Sequence, residues 1–135
     1  MERTAVIAAY FPAGTSVKNM QHWAQLTTSN KYQFFDYGAV GNYKRYKQFS
    51  PPEIDLTKLH IVPIGLFCGD GDELADTSDV NWLRTQLSPS VLKLDRIYKG
   101  YGHITFLVGK TSEYVYDLID FLDTYAVEVP SAVVE

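Results

Sequence analysis

An aspartate and a histidine stand out among the residues of this chain that could do chemistry. Asp72 lies in the run Cys68-Gly69-Asp70-Gly71-Asp72-Glu73-Leu74-Ala75-Asp76, and His103 closes Tyr101-Gly102-His103, 31 positions further on. A carboxylate that accepts a hydrogen bond from one imidazole nitrogen fixes the tautomer. It also stabilises the imidazolium formed when the other nitrogen takes a proton. Those are the roles of the acid and the base of a hydrolase triad. The third member has no matching motif, because no serine of the 135 residues sits in Gly-x-Ser-x-Gly. Each landmark also has a plainer reading. Asp-Gly-Asp is common in turns, and a histidine between Gly102 and an apolar run can be a satisfied core residue. Asp70, Asp72, Asp76 and Asp79 invite calcium, but an EF-hand loop needs glycine at its sixth position and glutamate at its twelfth. Counted from Asp70 those are Ala75 and Asn81, so no metal is expected, and no cofactor.

Elements that could position the pair are legible in the second half. Ile61 to Phe67 is a near-continuous apolar run, as for a strand covered on both faces, with Pro63 suited to its beginning or to an edge. A helix is predicted from about Asp79 to Leu87, capped by Thr77 or Ser78, with Val80, Leu83 and Leu87 on one face. Val91 to Tyr98 reads as a second strand. Thr111 or Ser112 caps a last helix to about Tyr125, whose buried stripe is Val115, Leu118, Ile119 and Leu122. Strand, helix, strand, helix at these lengths implies a parallel sheet with helices on its faces. Asp72 and His103 then follow the carboxyl ends of neighbouring strands, where loops converge on one crevice. The glycines at 69, 71, 100 and 102 let the backbone turn off those strands.

The first half is less regular. Pro12-Ala13-Gly14 reads as a turn, and Thr15 or Ser16 caps a helix to about Ser29 that carries Val17, Met20 and Ala24 with Trp23 beside them. Residues 32 to 52 hold seven aromatic residues among Gly38, Gly41 and Pro51-Pro52, without a sustained period, and read as a packed loop region. A boundary falls between Pro51 and Lys58. The end, Ala126 to Glu135, lacks period and is expected to be a flexible tail.

An apolar fraction of 46% is enough for a core and argues against disorder, and the length suits one domain. A net charge of −4 leaves no broad basic surface, so nucleic acid is not expected as a partner. The short basic-aromatic run Tyr43 to Lys47 reads as a solvated face. Cys68, alone, has no internal disulfide partner. The apolar run near Met1 is too short for a membrane span and lacks a cleavage site, so no signal peptide is expected.

Together the motifs resemble the acid lipase family, the gastric and lysosomal acid lipases. They are Pro12-Ala13-Gly14-Thr15-Ser16-Val17 through His22-Trp23, Phe35-Asp36-Tyr37-Gly38, Asn42, Tyr46, Pro51-Pro52 and Val62-Pro63. Gly71 to Asp76 with Asp79-Val80, Tyr101-Gly102-His103, Phe106 and Val115-Tyr116 complete them. The likeness runs from about Val6 to Asp123. It implies an α/β hydrolase with a cap over its site, cleaving triacylglycerol or steryl esters at acid pH, lysosomal or secreted. Asp72 then matches the triad acid and His103 the triad base. Residues 1–55 match the end of the cap, and residues 56–125 the last strands and helices of the core. The resemblance implies a cap with a route to a membrane or lipid-droplet surface, and the tyrosines and phenylalanines from Tyr32 to Tyr46 read as its packing in preference to acyl-chain contact. The family's nucleophile elbow, oxyanion loop and earlier strands precede the matched part. Cys68 stands where a polar residue is expected and reads as small and buried in preference to a reactive thiol.

Ser16, Asp72 and His103 follow the chain order of an α/β-hydrolase triad. However, Lys18 occupies the place of the elbow's second glycine, and Pro12 and Ala13 break a preceding strand, so Ser16 reads as a helix cap. The expectation is therefore the carboxyl-terminal part of a lipid ester hydrolase, carrying acid and base without a nucleophile and inactive alone. The alternative is a truncated relative that binds lipid or a protein.

Overall fold

The computed structural model describes residues 2–11, 13–110 and 112–126. Pro12 of the expected turn, Thr111, and all of the expected tail except Ala126 lie outside them. The chain forms two compact units, Met1–Asp55 and Leu56–Glu135.

The first unit is helical. Helix α1 spans Glu2–Tyr10, α2 Val17–Ser29 and α3 Gly38–Tyr46. Ser16 caps α2, its Oγ accepting the Asn19 N–H at 3.0 Å, and Asn30 ends the helix in the left-handed region at φ 52°. This is the capping role expected of Ser16.

Helix α3 corrects the packed loop expected over 32–52. Its exposed Val40 and Tyr43 and its basic Lys44 and Arg45 draw no apolar stripe, so the periodicity that betrays most helices is missing. A polar staple holds it instead. Asn42 is 1% exposed. Its Oδ1 accepts the Tyr37 N–H at 2.9 Å, and its Nδ2 donates to Asp36 Oδ1 at 2.7 Å and to the Phe49 carbonyl at 3.1 Å. Gln25 and Asp36 exchange two further bonds, each 2.9 Å, joining α2 to this segment. The aromatic residues pack as expected, with Phe35 and Tyr37 ring centroids 4.7 Å apart.

The second unit opens with a short 3₁₀ turn, Leu56–Lys58, and then runs β1 Ile64–Gly69, α4 Thr77–Gln86, β2 Leu92–Tyr98, α5 Thr105–Val108 and α6 Glu113–Tyr125. The strands pair in parallel, from Ile64 opposite Leu92 to Gly69 opposite Tyr98. Strand β1 begins directly after Pro63, as that residue's missing N–H requires. With one neighbouring strand, β1 is half-buried along its whole length rather than covered on both faces.

Val91, 1% exposed, and Leu87, 7%, form the core at the entry to β2. Arg84 of α4 grips Asp95 of β2 through two bonds of 2.7 and 2.8 Å, a forked geometry that fixes helix against strand. The cap of α4 is neither Thr77 nor Ser78 but Asp76, whose carboxylate accepts the Ser78 N–H at 2.7 Å. On α6, Val115 and Leu118 of the expected buried stripe are half-buried, and Phe121 packs beside Gly65. Ile119 and Leu122 are instead 49% and 55% exposed, because the half-buried face turns through Tyr114, Asp117 and Phe121. No helix among the described residues is long and apolar enough to cross a membrane.

Candidate active site

The carboxyl ends of β1 and β2 are stitched together, and the stitch carries Asp72 and His103. Where β1 ends, the Asp70 N–H donates to the Tyr98 carbonyl at 3.3 Å and the Gly71 N–H to the Tyr101 carbonyl at 3.0 Å. A Cβ at Gly69 would stand 2.1 Å from the Tyr101 oxygen, so only glycine lets the two loops approach this closely. Gly100 turns the second loop at φ +76°. Beyond it, the Gly102 N–H donates to Thr105 Oγ1 at 2.9 Å, which folds His103 into the start of α5.

An aromatic cluster anchors this loop from beneath. Tyr101 is 4% exposed and Tyr98 8%, and both rings pack with Phe106 and Tyr114 at centroid distances of 5.1 to 6.5 Å. The Tyr98 hydroxyl donates to Asp117 Oδ2 at 2.6 Å, and burial holds that phenol far above its ordinary pKa. Tyr114 donates to the Phe106 carbonyl at 2.6 Å.

Asp72 Oδ2 lies 3.1 Å from His103 Nδ1. The other oxygen, Oδ1, accepts the backbone N–H groups of Leu74 at 2.9 Å and Ala75 at 2.8 Å. The Asp72 side chain is 7% exposed, the His103 side chain 53%. The Ala75 N–H is the main influence holding the Asp72 carboxyl below the usual carboxylate range. Burial opposes it, and the Leu74 N–H and His103 add to it. An ionised carboxylate only accepts, so Nδ1 of a neutral His103 must carry the proton and Nε2 keeps its lone pair. That nitrogen belongs to a ring open to solvent. The arrangement is an oriented base, able to take a proton at Nε2 and to be stabilised as imidazolium.

The two candidate residues are therefore brought together. His103 is not the core residue that its apolar neighbours allowed, and Asp72 does more than turn the chain. The parts that sequence reasoning passed over are Tyr98, Tyr101 and the side chain of Asp70. Tyr98 and Tyr101 stand three apart around Gly100, and that spacing was the available signal. Cys68 is half-buried opposite Ile97, and burial pushes its thiol pKa up, which suits a small packing residue rather than a nucleophile.

No family model matches the chain. It is similar to curated proteins. "Lipase lipl-3" of Caenorhabditis elegans is 36% identical over 108 residues, covering 79% of this chain and 27% of that protein. Gastric triacylglycerol lipase of Bos taurus is 41% identical over 108 residues, 79% of this chain and 26% of that lipase. Lysosomal acid lipase/cholesteryl ester hydrolase of Homo sapiens is 43% identical over 110 residues, 81% and 27%. The chain thus spans about a quarter of the length of the relatives it matches. A parallel β–α–β unit and these likenesses define its class as α/β hydrolase. Within that class it belongs to the acid lipase family, whose carboxyl-terminal part it matches.

Proposed function

We propose that this chain supplies the acid and the general base of a lipid ester hydrolase whose nucleophile lies outside its 135 residues. The carrying observation is the Asp72–His103 bond of 3.1 Å, with the carboxylate buried and tied by two backbone N–H groups while the imidazole faces solvent. Asp72 orients His103, and His103 Nε2 takes the proton of an attacking hydroxyl and returns it to the leaving alcohol. The depressed Asp72 carboxyl keeps its charge into acid, which suits hydrolysis at the low pH of a lysosome or stomach. The substrates are triacylglycerol or steryl esters, by kinship with the named relatives. Residues 1–55 are the end of a cap and its return to the core, residues 56–125 the last strands and helices of that core, and the location lysosomal or secreted.

Without a serine nucleophile and oxyanion donors the pair has nothing to activate. The chain alone should not turn over short- or long-acyl esters. Hydrolysis that His103→Ala abolishes would overturn this reading and return Ser16 to candidacy as nucleophile. A second reading, a binding module without catalysis, draws on the exposed Tyr116, Ile119 and Leu122 of α6. A stable, well-folded monomer in size-exclusion chromatography would count against the fragment of a larger sheet and favour this second reading.

A further inference from the structure

Besides the Asp72–His103 contact itself, hydrogen bonds of both main chain and side chain join the loop of Asp72 to the loop of His103. Main-chain bonds run from Asp70 and Gly71 to the carbonyls of Tyr98 and Tyr101. A side-chain bond runs from the Gly100 N–H to Asp70 Oδ1 at 2.6 Å, across 30 positions of chain. We propose that Asp70 is a positioning residue, a latch that sets the distance between Asp72 and His103. This rests on the proposed acid–base pair.

The geometry makes the latch matter. Asp70 stands two residues before Asp72, and Gly100 three residues before His103, so the latch sits at the root of both short arms. Charge-assisted N–H···O bonds prefer about 2.7–2.9 Å. The Asp72–His103 contact is already 3.1 Å. Drift of one loop by roughly half an ångström would take it beyond hydrogen-bonding range. The carboxylate of Asp70 grips the Gly100 amide more strongly than a neutral acceptor would, by about a factor of two in bond strength. Gly100 needs that grip, because its left-handed turn carries no side chain of its own to pack.

The test compares wild type, Asp70→Ala, Asp70→Asn and Asp72→Ala in the full chain, uniformly labelled in ¹⁵N. Two readouts are taken on each protein: the exchange rate of the Gly100 amide, and the protonation of His103 Nδ1. The latch predicts that Asp70→Ala exposes the Gly100 amide and loses the Nδ1 proton of neutral His103, as Asp72→Ala does. Asp70→Asn, which keeps an oxygen acceptor, should show a smaller loss of both. A merely structural role would free the Gly100 amide and lower Tm while leaving His103 unchanged, and that result in either Asp70 variant overturns the latch but leaves the pair intact. If Asp70→Ala does not fold, the graded change in Asp70→Asn decides the matter by the same criterion. A wild-type His103 without a proton on Nδ1 would instead remove the acid–base pair, and the latch with it.

Discussion

Replacing Asp72 by asparagine separates the two jobs of its carboxylate. In the wild type Oδ1 accepts from Leu74 and Ala75 at 2.9 and 2.8 Å, while Oδ2 accepts from His103 Nδ1 at 3.1 Å. The amide that Asp72→Asn introduces has one acceptor and one donor end, and two orientations. With its oxygen toward His103, its NH₂ would face two backbone N–H donors and both of those bonds would be lost. Each is worth about a factor of five in population at typical net hydrogen-bond strength, so about twenty-five together. The favoured orientation keeps the oxygen on Leu74 and Ala75 and points NH₂ at His103. Nδ1 must then accept, and the ring proton moves to Nε2. The base is lost by tautomer, with the loop still folded. Two-bond ¹H–¹⁵N correlation at about pH 8.5, where imidazole is neutral, reads this directly. His103→Gln identifies the His103 signals among the three histidines. Asp72→Asn should move the proton from Nδ1 to Nε2 and leave the circular dichroism unchanged. An unchanged Nδ1 proton would refute the reasoning that the two N–H groups dictate the orientation.

Acid stability provides a second check. Asp72 and Asp76 both titrate below their ordinary 3.8 in the folded chain, Asp72 chiefly through the Ala75 N–H and Asp76 chiefly through the Ser78 hydroxyl. Their contribution is full above the unfolded value and is lost as pH falls through the depressed folded values. Tm should therefore hold above about pH 5 and fall below about pH 4, with a shallower fall in Asp72→Asn. Gly69→Ala forces a Cβ to within 2.1 Å of the Tyr101 oxygen, so it should disperse the near-ultraviolet circular dichroism of the tyrosine cluster and release the His103 Nδ1 proton. Asn42→Ala, removing three bonds at a site 1% exposed, should cost about 3 kcal/mol in urea unfolding of the first unit. A loss under about 1 kcal/mol would show that the staple is dispensable.

The second unit was legible because its residues are locally consistent. An apolar run from Ile61 to Phe67, an apolar face at Val80, Leu83 and Leu87, and a second run ending at Tyr98 together imply parallel strands. Parallel strands put Asp72 and His103 at adjacent carboxyl ends. What escaped was whatever depends on contacts distant in sequence or on polar atoms. Helix α3 hangs on Asn42, a polar residue that periodicity ignores. The rotation of α6, which leaves Ile119 and Leu122 exposed, follows from the place Phe121 takes beside Gly65. The Asp76 cap preceded the expected one because an aspartate one residue before a Thr-Ser pair competes for the same N–H groups, and the charge wins at a helix start.

The same distinction explains why the candidate site was only half visible. Chemistry-bearing residues announce themselves by type, and Asp72 and His103 did so. The residues around their contact do not. The Gly69 clearance and the Asp70 bond across 30 positions show in neither type nor spacing, and the buried ring of Tyr101 shows only in its spacing from Tyr98. The loops are held by backbone bonds that any sequence could make, so specificity rests on the few positions where a side chain, or its absence, is indispensable. Asp-Gly-Asp therefore makes three contacts in three residues. Its first carboxylate reaches across to the histidine loop, its glycine bonds the Tyr101 carbonyl, and its second carboxylate receives the imidazole. A turn motif that looked bland by composition is, in three dimensions, what ties the loop of Asp72 to the loop of His103.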